Sequence, residues 1–508
     1  MNDTIEPIEN ERETRIKKAQ ELKSKGDNPY KSNFAKTHFT DEVMFYAKEN
    51  KLRESEDVFT STKKDIRTAG RILAIRNHGK ILFVNIQDMR GELQVFIKED
   101  ILGAEKFSFV VDMLDMGDFV GVVGEPFMTK QDKLALCVAE IELLSKAINP
   151  MPSEHFGIED TELRYRKRYL DLILNEKSRE TMRVAIEMVD FLRNWLKERD
   201  FVEVTTRVLQ NLPGGANAES FVTHHNYLDV DLYLRIASEL DLKMAVAGGK
   251  ERVFEIGPVF RNEGIDAEHL QEYQSLEFYC AYKSIEESME WAEDMLSQAA
   301  LSTVGKKTGI VFSESGEAKT VSLDPPFRKI AFLDLMKKEG VDSDTSEDEL
   351  RKKIVATGVS EKEIKGKTSG ALLDILYKKT VRPNIIEPTF VTQYPVDMFP
   401  LARPNDKNEK VADSYQIVVG GVELVKAYSE LIDPVVQREA LMKQERARKG
   451  GDNEAERLNE EFLTAMEHGM PPMVGFGLGI SRFVAVLTGT KNLKETILFP
   501  LLAPKKDK

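Results

Sequence analysis

Short runs of alternating apolar and polar residues occupy residues 66 to about 144. The runs at 81–86, 92–97 and 119–123 are separated by glycine and other turn residues. Alternation with a period of two predicts strands with one buried face, and several short strands in succession predict a small β-barrel. The length suits an oligonucleotide-binding (OB) fold, to which we assign residues 61–150. From the pattern alone, a barrel that binds no nucleic acid is the alternative.

The pattern changes on both sides of this segment. Residues 1–60 begin with a charged helical pattern that ends at Gly26, which predicts an N-terminal helical extension. A proline-containing linker at 149–152 marks the next boundary. Residues 151–508 combine helical periodicity with β-rich runs, which is typical of an α+β domain. A charged helical segment at about 340–380 is predicted to be an insertion in this domain.

Net charge gives an ambiguous indication about nucleic acids. The chain of 508 residues has a formal net charge of −14, and an acidic protein is an unusual partner for phosphates. Net charge is an average, however, and a local basic face can bind RNA on an acidic body. A solvated helix face is the alternative for the basic residues near the N-terminus. These are Arg12, Arg15, Lys17, Lys18, Lys23, Lys25, Lys31 and Lys36.

Cysteine content and hydropathy restrict the class of protein. The two cysteines, Cys137 and Cys280, lie far apart, which excludes a disulfide framework and a cysteine-based zinc site. This usage is typical of a reducing compartment. The sequence contains no apolar run of about 18 residues and no secretory signal pattern. We therefore expect a cytoplasmic protein without a membrane segment.

Four segments contain candidate chemistry, although each is a weak indication by itself. Residues 259–264 contain Arg-x-Glu, and most such triplets are surface ion pairs. Residues 475–482 are glycine-rich and precede a helical pattern, but they match neither a Walker loop nor a dinucleotide fingerprint. Residues 420–431 place two carboxylates among apolar residues, which suits a magnesium ion or an ammonium ligand. Residues 212–216 form a glycine-rich turn.

Together and in this order, these segments resemble the class II aminoacyl-tRNA synthetases, and among them the lysyl-tRNA synthetases. Residues 261–263 are similar to motif 2 of the family, and residues 477–482 to motif 3. The run Tyr-Ser-Glu-Leu at 428–431 resembles the lysyl subgroup, and the resemblance extends over about residues 12–500. It implies an antiparallel-sheet catalytic domain flanked by helices, together with an anticodon-binding OB barrel. It also implies a homodimer that ligates L-lysine to tRNA(Lys) with ATP through a lysyl-adenylate.

The resemblance implies a site for ATP with Mg²⁺, in which Arg261, Glu263 and Arg482 are catalytic. Arg261 is expected to bridge the lysine carboxylate and the α-phosphate, since a planar guanidinium can meet two oxygens. Glu263 is expected to contact the adenine amino group, and Arg482 to cover the base and reach the γ-phosphate. The metal ligands would be Gln416 and Glu423. The implied ATP-binding residues are Arg261, Asn262, Glu263, His269, Leu270, Tyr273, Glu423, Leu424, Gly479 and Arg482.

Selection of lysine has a physical basis independent of the family. Only buried acceptors can choose an ε-ammonium over a neutral side chain, because an unpaired buried carboxylate is costly. Glu430, Glu277 and Tyr279 are expected to be these acceptors, while Gly215 and Glu239 receive the α-ammonium. The implied lysine-binding residues are Gly215, Glu239, Arg261, Glu277, Tyr279, Lys426, Tyr428 and Glu430.

The barrel is expected to read the anticodon. Unstacked loop bases are usually recognised by aromatic stacking and by hydrogen bonds to their edges. By resemblance, Phe83 would stack on a base and Gln94 would bond to one, with Arg76 as a weaker candidate.

Several positions depart from the family pattern. Arg207 replaces the proline of motif 1, Lys426 replaces an asparagine, and Ser481 replaces the aspartate before the motif 3 arginine. Gln416 replaces the first carboxylate of the metal pair, and residues 269–274 match the family only loosely. These departures leave open a catalytically silent paralogue that only binds tRNA.

Two catalytically active relatives of the lysyl-tRNA synthetases are further alternatives. An aspartyl- or asparaginyl-type synthetase shares the layout, but those enzymes have Gln-Arg where this chain has Glu430-Leu431. A lysyl-synthetase-like protein modifier would lack the barrel.

Overall fold

The computed structural model describes residues 6–52, 64, 66–128, 133–152, 160–313 and 315–504. The chain divides into two compact units, Met1–Phe156 and Gly157–Lys508. The boundary predicted between residues 60 and 61 lies outside the described residues. In the part of the chain that the structure describes, no helix combines the length and apolar character needed to span a membrane.

The first unit contains helices at its N-terminus and a series of strands after residue 65. In the described residues its elements are α1 (Glu6–Ser24), α2 (Thr40–Glu49), β1 (Ile66–Asn77), β2 (Ile81–Asp88), β3 (Gly91–Lys98), α3 (Glu99–Leu102), α4 (Ala104–Met113), β4 (Phe119–Met128) and β5 (Leu134–Ser145).

The five strands form a closed barrel in the order β1-β2-β3-β5-β4, which confirms the predicted OB fold. The alternation in the sequence corresponds to the two faces of each strand. Val84 and Ile86 of β2 and Val95 and Ile97 of β3 are fully buried, whereas the residues between them are partly exposed. Burial of one apolar face of each strand therefore stabilises the barrel and leaves the other face for contacts.

The second unit mixes helices and strands throughout. Its described elements are α5 (Thr161–Arg166), α6 (Arg168–Leu174), α7 (Glu176–Lys197), β6 (Val202–Glu203), β7 (Leu209–Gln210), β8 (Val222–His225), β9 (Val230–Leu234), α8 (Glu239–Ala247), β10 (Arg252–Phe260), β11 (Glu272–Ala281), α9 (Ile285–Val304), β12 (Thr308–Phe312), β13 (Ala318–Ser322), β14 (Arg328–Ala331), α10 (Phe332–Met336), α11 (Glu347–Ala356), α12 (Ser369–Thr380), β15 (Thr389–Thr392), β16 (Pro404–Asn405), β17 (Asn408–Ala412), β18 (Ser414–Val419), β19 (Val422–Ser429), α13 (Pro434–Lys449), α14 (Glu460–Glu467), β20 (Met473–Gly479) and α15 (Ile480–Thr488).

Eight strands form the central sheet in the order β14-β15-β18-β19-β20-β11-β10-β6. All neighbours are antiparallel except the outermost pairs β14–β15 and β6–β10, so the predicted antiparallel sheet is confirmed. Helices α7, α9 and α15 contribute apolar side chains to the same core as the sheet. In this core, the rings of Phe278 on β11 and Phe476 on β20 stack with centroids 4.5 Å apart. Because side chains alternate along a strand, the neighbours of these residues point to the opposite face.

The charged segment predicted to be inserted contains two helices, α11 and α12. Ser346 and Glu349 form a capping box at the start of α11, and Thr368 caps α12. Such caps satisfy backbone N–H groups that have no partner within the helix. Buried Leu350 and Leu372 join a second core, which also contains Tyr279 of the sheet.

Candidate active site

The second face of the sheet forms the floor of a cavity of about 610 Å³. The strand register places Glu277 opposite Gly477, and Gly477 opposite Lys426. Two residues further along, Tyr279, Gly475 and Tyr428 form a parallel row. A Cβ atom at Gly475 would collide with Glu430 Oε1 and the Tyr279 ring, so only glycine fits in this position.

The cavity collects nearly all the residues predicted for the catalytic domain from the sequence. Asn262 is the exception: it does not line the cavity, and its backbone N–H donates to the Glu219 carbonyl at 2.8 Å. The individual roles of the lining residues stay predictions. The predicted residues that line the cavity are Gly215, Glu239, Arg261, Glu263, His269, Leu270, Tyr273, Glu277, Tyr279, Gln416, Glu423, Leu424, Lys426, Tyr428, Glu430, Gly479 and Arg482.

One end of the cavity is an acidic wall of buried carboxylates. Glu239, at the start of α8, accepts hydrogen bonds at Oε1 from Lys243 Nζ at 2.6 Å and from Tyr428 Oη at 2.7 Å. Glu430, which follows β19, forms an ion pair through Oε2 with the same Lys243 ammonium. Glu430 Oε1 is buried and has no hydrogen-bond partner among the described residues. Such a group is costly unless a ligand supplies the missing donor.

Glu277 is a second buried carboxylate with an unused oxygen. Its Oε1 accepts a hydrogen bond from the Ser238 backbone N–H at 3.2 Å, while Oε2 has no partner among the described residues. Burial, followed by repulsion from Glu239, raises the pKa of Glu277 to about 7. Burial also raises the pKa of Glu430 well above its usual range, although Lys243 opposes this shift. A cation that enters the cavity would favour the ionised form of both carboxyl groups, and this form is the better hydrogen-bond acceptor.

The Gly214–Gly215 turn borders this acidic wall. Gly215 has a φ of +87°, and a Cβ there would lie 2.8 Å from the Glu239 Cβ, so glycine is required on both counts. Its backbone N–H donates to Glu456 Oε2 at 3.2 Å. Glu456 is buried, and desolvation raises its pKa to about 8. Sequence reasoning missed Glu456, because it lies in a polar loop without a recognisable motif.

Arginine and aromatic side chains line another part of the cavity. The Arg261 guanidinium lies 5.7 Å from the centre of the Tyr273 ring. Arg482 Nη1 donates to the backbone carbonyl of Glu423 at 3.1 Å, which links motif 3 to β19. His269 Nδ1 lies 2.7 Å from Asp266 Oδ2, and this contact lowers the pKa of the aspartate against the effect of burial. Fixed cations beside an aromatic face suit a nucleotide with its phosphates.

The departures at Gln416 and Lys426 form specific contacts. Gln416 Oε1 accepts a hydrogen bond from Tyr394 Oη at 2.7 Å. Lys426 is opposite Gln416 in the β18–β19 register, and its ammonium lies 4.2 Å from the centre of the Phe399 ring. Both side chains therefore have fixed surroundings at the cavity wall.

Arg207 forms contacts that a proline could not make. Its guanidinium pairs with Asp241 of α8 at 2.6 Å and with Glu461 of α14 at 3.2 Å. Arg207 therefore ties the segment between β6 and β7 to two helices.

In the barrel, the anticodon candidates lie on neighbouring strands. Phe83 of β2 is opposite Arg76 of β1 and Phe96 of β3, and the Phe83 and Phe96 ring centres are 4.8 Å apart. Gln94 is two residues from Phe96 on the same strand and therefore on the same face. The ring centres of His78 and Phe83 are 5.7 Å apart. Sequence reasoning did not select Phe96 or His78 as anticodon candidates, although Phe96 lies in the predicted strand at 92–97 and His78 lies shortly before the one at 81–86.

Comparison with known proteins first establishes the class of protein to which this chain belongs. The family model of class II tRNA synthetases (D, K and N) matches residues 160–503, and the model of the OB-fold nucleic acid binding domain of the anticodon type matches residues 66–144. The chain is 39% identical over 504 residues to a lysine–tRNA ligase from Prochlorococcus marinus subsp. pastoris, covering 97% of this chain and 96% of that one.

Other relatives have the same assignment. Lysine–tRNA ligases from Fervidobacterium nodosum (38% over 497 residues; 98% and 94% of the two chains) and Aeromonas hydrophila (38% over 504 residues; 98% and 97%) are similarly close. The chain belongs to the lysine–tRNA ligase family of class II tRNA synthetases. This confirms the resemblance inferred from the motifs, and the aspartyl- or asparaginyl-type alternative is not favoured.

Proposed function

We propose that this chain ligates L-lysine to tRNA(Lys) in two steps. The lysine carboxylate attacks the α-phosphorus of ATP, which forms lysyl-adenylate and releases pyrophosphate. The terminal ribose hydroxyl of the tRNA then attacks the carbonyl carbon, and AMP leaves. The observation that carries the proposal is the acidic wall, where Glu430 and Glu277 each have a buried oxygen without a partner among the described residues.

The acidic wall suits a substrate with two ammonium groups. An ε-ammonium near Glu430 would satisfy Oε1, and Glu277 and Tyr279 line the same part of the cavity. An α-ammonium near Glu239 and the Gly215 turn would place the carboxylate toward Arg261. A neutral or acidic amino acid would leave these carboxylates unpaired, which is the physical basis for rejecting it.

The remaining cavity suits ATP. Phosphoryl chemistry of this kind depends on positioning and charge neutralisation more than on a protein base. Arg261 would neutralise the α-phosphate, Glu263 and Tyr273 would hold the adenine, and Arg482 would reach the γ-phosphate. Their placement around one cavity supports this assignment.

Magnesium fits the oxygen ligands that this cavity offers. In the described residues there is no cluster of three or more His, Cys, Asp or Glu side chains that could hold a metal alone. Gln416 and Glu423 line the cavity, however, and amide and carboxylate oxygens suit Mg²⁺ when phosphates supply further ligands. When bound, Mg²⁺ would neutralise charge on the triphosphate.

Two further parts of the function rest on the barrel and on assembly. Phe83, Gln94 and Arg76 would contact the anticodon of tRNA(Lys). The family resemblance implies a homodimer, which light scattering at several protein concentrations would test.

Lysine-dependent ATP–pyrophosphate exchange tests the proposal directly. We expect exchange with lysine and none with aspartate or asparagine. Exchange with aspartate or asparagine alone would refute the lysine assignment. Absence of exchange with every amino acid, together with intact tRNA binding, would identify a silent paralogue.

A further inference from the structure

Lys243 is a fully buried lysine that touches both carboxylates at the ends of the proposed amino-acid site. It lies one helical turn after Glu239 on α8, and its Nζ donates to Glu239 Oε1 at 2.6 Å. The same ammonium pairs with Glu430, which lies on a different element. A single fixed cation therefore joins the expected α-ammonium acceptor to the expected ε-ammonium acceptor.

Lys243 contacts these carboxylates from behind the cavity wall. Glu239 and Glu430 line the cavity, but Lys243 does not. The rings of Tyr279, Tyr428 and Phe462 surround its ammonium, with centres 5.6–6.0 Å away. Lys243 thus leaves Glu430 Oε1 free for a ligand while it holds Oε2.

Because Lys243 binds both carboxylates, Glu239 and Glu430 cannot change their separation independently of it. Without the bridge, Glu239 and Glu430 would repel one another, and one would protonate or turn away. With it, the separation between the two acceptors is set by the protein rather than by the substrate. A separation set in advance favours a diamine of one length.

We propose that Lys243 is a positioning residue that fixes the distance between Glu239 and Glu430, and thereby helps to select lysine over shorter diamino acids. This inference rests on the proposed lysine-dependent function. A positioning role differs from a purely structural role, in which Lys243 would be important for folding without influencing the choice between substrates.

The test compares wild type with Lys243→Met, which keeps an unbranched side chain without charge, and Lys243→Arg, which keeps the charge at a different reach. Pyrophosphate exchange is measured with lysine and with ornithine, which is shorter by one methylene. The KM for ATP and the unfolding temperature are measured in parallel.

For Lys243→Met we expect the KM for lysine to rise roughly tenfold to a hundredfold, as for loss of a charged hydrogen-bond arrangement. The KM for ATP should stay within about twofold, a change too small to count as a lost interaction. The lysine-to-ornithine ratio of kcat/KM should fall, because one methylene is worth roughly tenfold or more only in a fixed site. Lys243→Arg should recover lysine binding in part but not the wild-type ratio.

Lys146→Met is the matched control, since Lys146 is also a fully buried lysine paired with two carboxylates, but in the barrel unit. It should destabilise the protein without changing the ratio of lysine to ornithine use. An unchanged ratio in both Lys243 variants would overturn the proposal, as would an equal change in the Lys146 variant. If Lys243→Met does not fold, Lys243→Arg decides alone through the ratio. Failure of wild type to use lysine would instead refute the proposed function.

Discussion

Two buried lysines, one in each unit, have the same immediate chemistry but different surroundings. In the barrel, Lys146 donates to Asp118 at 2.7 Å and to the Met113 carbonyl at 2.6 Å, and it also pairs with Asp115. The other oxygen of Asp118 accepts from the Ala147 N–H. In the catalytic unit, Lys243 also pairs with two carboxylates, yet Glu430 Oε1 has no partner in the described part of the chain.

The difference distinguishes a structural cluster from the proposed binding cluster. In the barrel, each oxygen of Asp115 and Asp118 is matched by a donor within the protein, which satisfies the buried charges locally. At the acidic wall, Glu430 and Glu277 each retain an unmatched oxygen at the surface of a cavity. Burial of a lysine–carboxylate pair is therefore not by itself an indication of function. The unmatched acceptor beside the pair is the informative feature.

Lys146→Met should produce the largest change, and only in stability. Removing one partner from a buried charge cluster costs about 3–5 kcal/mol, because Asp118 would remain buried without its cation. Thermal unfolding and amide hydrogen exchange of the barrel would measure this loss. The KM for lysine in pyrophosphate exchange should not change. A raised lysine KM would show that the barrel cluster influences the catalytic cavity and would weaken the distinction between the two clusters.

Glu430→Gln should instead affect substrate binding. The substitution replaces a carboxylate–ammonium bond by a neutral one, so we expect a loss of about 1.5–3 kcal/mol in lysine binding. ATP binding should be nearly unchanged in the same exchange assay. Glu439→Gln, at an exposed glutamate of α13, is the control. An unaltered lysine KM would mean that Glu430 does not receive the side chain.

Phe83→Ala should weaken tRNA charging while adenylate formation is spared. Loss of one base stack costs about 1–3 kcal/mol, and the barrel exposes this aromatic face outside its core. Charging and pyrophosphate exchange are measured on the same preparations. The control is Phe119→Ala, at an exposed barrel aromatic that packs against Arg71. Equal losses in both assays would indicate a structural role for Phe83.

The buried carboxylates of the acidic wall should make the KM for lysine depend on pH. The barrel cluster should have no such effect on the use of lysine. Glu277 has a pKa of about 7, raised by burial and by Glu239, and an ammonium ligand binds its ionised form. The KM for lysine should therefore fall as the pH rises from roughly 6 to 8, by up to about tenfold per pH unit below the pKa. Glu277→Gln should flatten this profile near pH 7. A flat wild-type profile would contradict the prediction.

The same shift has a consequence for stability with the opposite sign. The pKa of Glu277 in the folded protein lies above its ordinary value of 4.5, so the folded state binds more protons over this interval. The contribution of Glu277 therefore makes the unliganded protein less stable as the pH rises from about 4.5 to 7. Lysine should offset this loss, which thermal unfolding with and without lysine would measure.

Local pattern was sufficient for much of the fold and for the motif residues. The strand alternation at 81–97 predicted the barrel, and the motif residues Arg261 and Arg482 line one cavity. Lys243 could not be found in this way, because its partner Glu430 is distant in the sequence and is brought to it by tertiary packing and not by helical spacing. A single lysine in an otherwise apolar stretch, 242–247, was the available signal.

Contacts between distant loops and strands were equally invisible to sequence reasoning. Glu456 meets Gly215 only because the chain after α13 folds back onto the turn before α8. The Tyr394–Gln416 hydrogen bond joins residues on separate segments, and nothing in the spacing indicates it. The sequence therefore predicts which residues belong to the site better than it predicts which residues hold them in place.

Gln416→Glu should give the smallest effect. It adds negative charge at a proposed metal position where the phosphates of ATP already supply negative charge. Gln416 uses its Oε1 to accept from Tyr394 Oη. A glutamate could accept this bond with one oxygen and offer the other to Mg²⁺, since carboxylates bind this ion more strongly than amides. We therefore expect the magnesium requirement of pyrophosphate exchange to fall roughly threefold to tenfold, with nearly unchanged lysine KM. Magnesium titrations of both forms at fixed ATP measure this. Tyr394→Phe, which frees the Gln416 oxygen, should not reproduce the effect, because it adds no charge. Superimposable titrations for wild type and Gln416→Glu would place residue 416 outside the coordination shell and leave Glu423 as the protein ligand of the proposed pair.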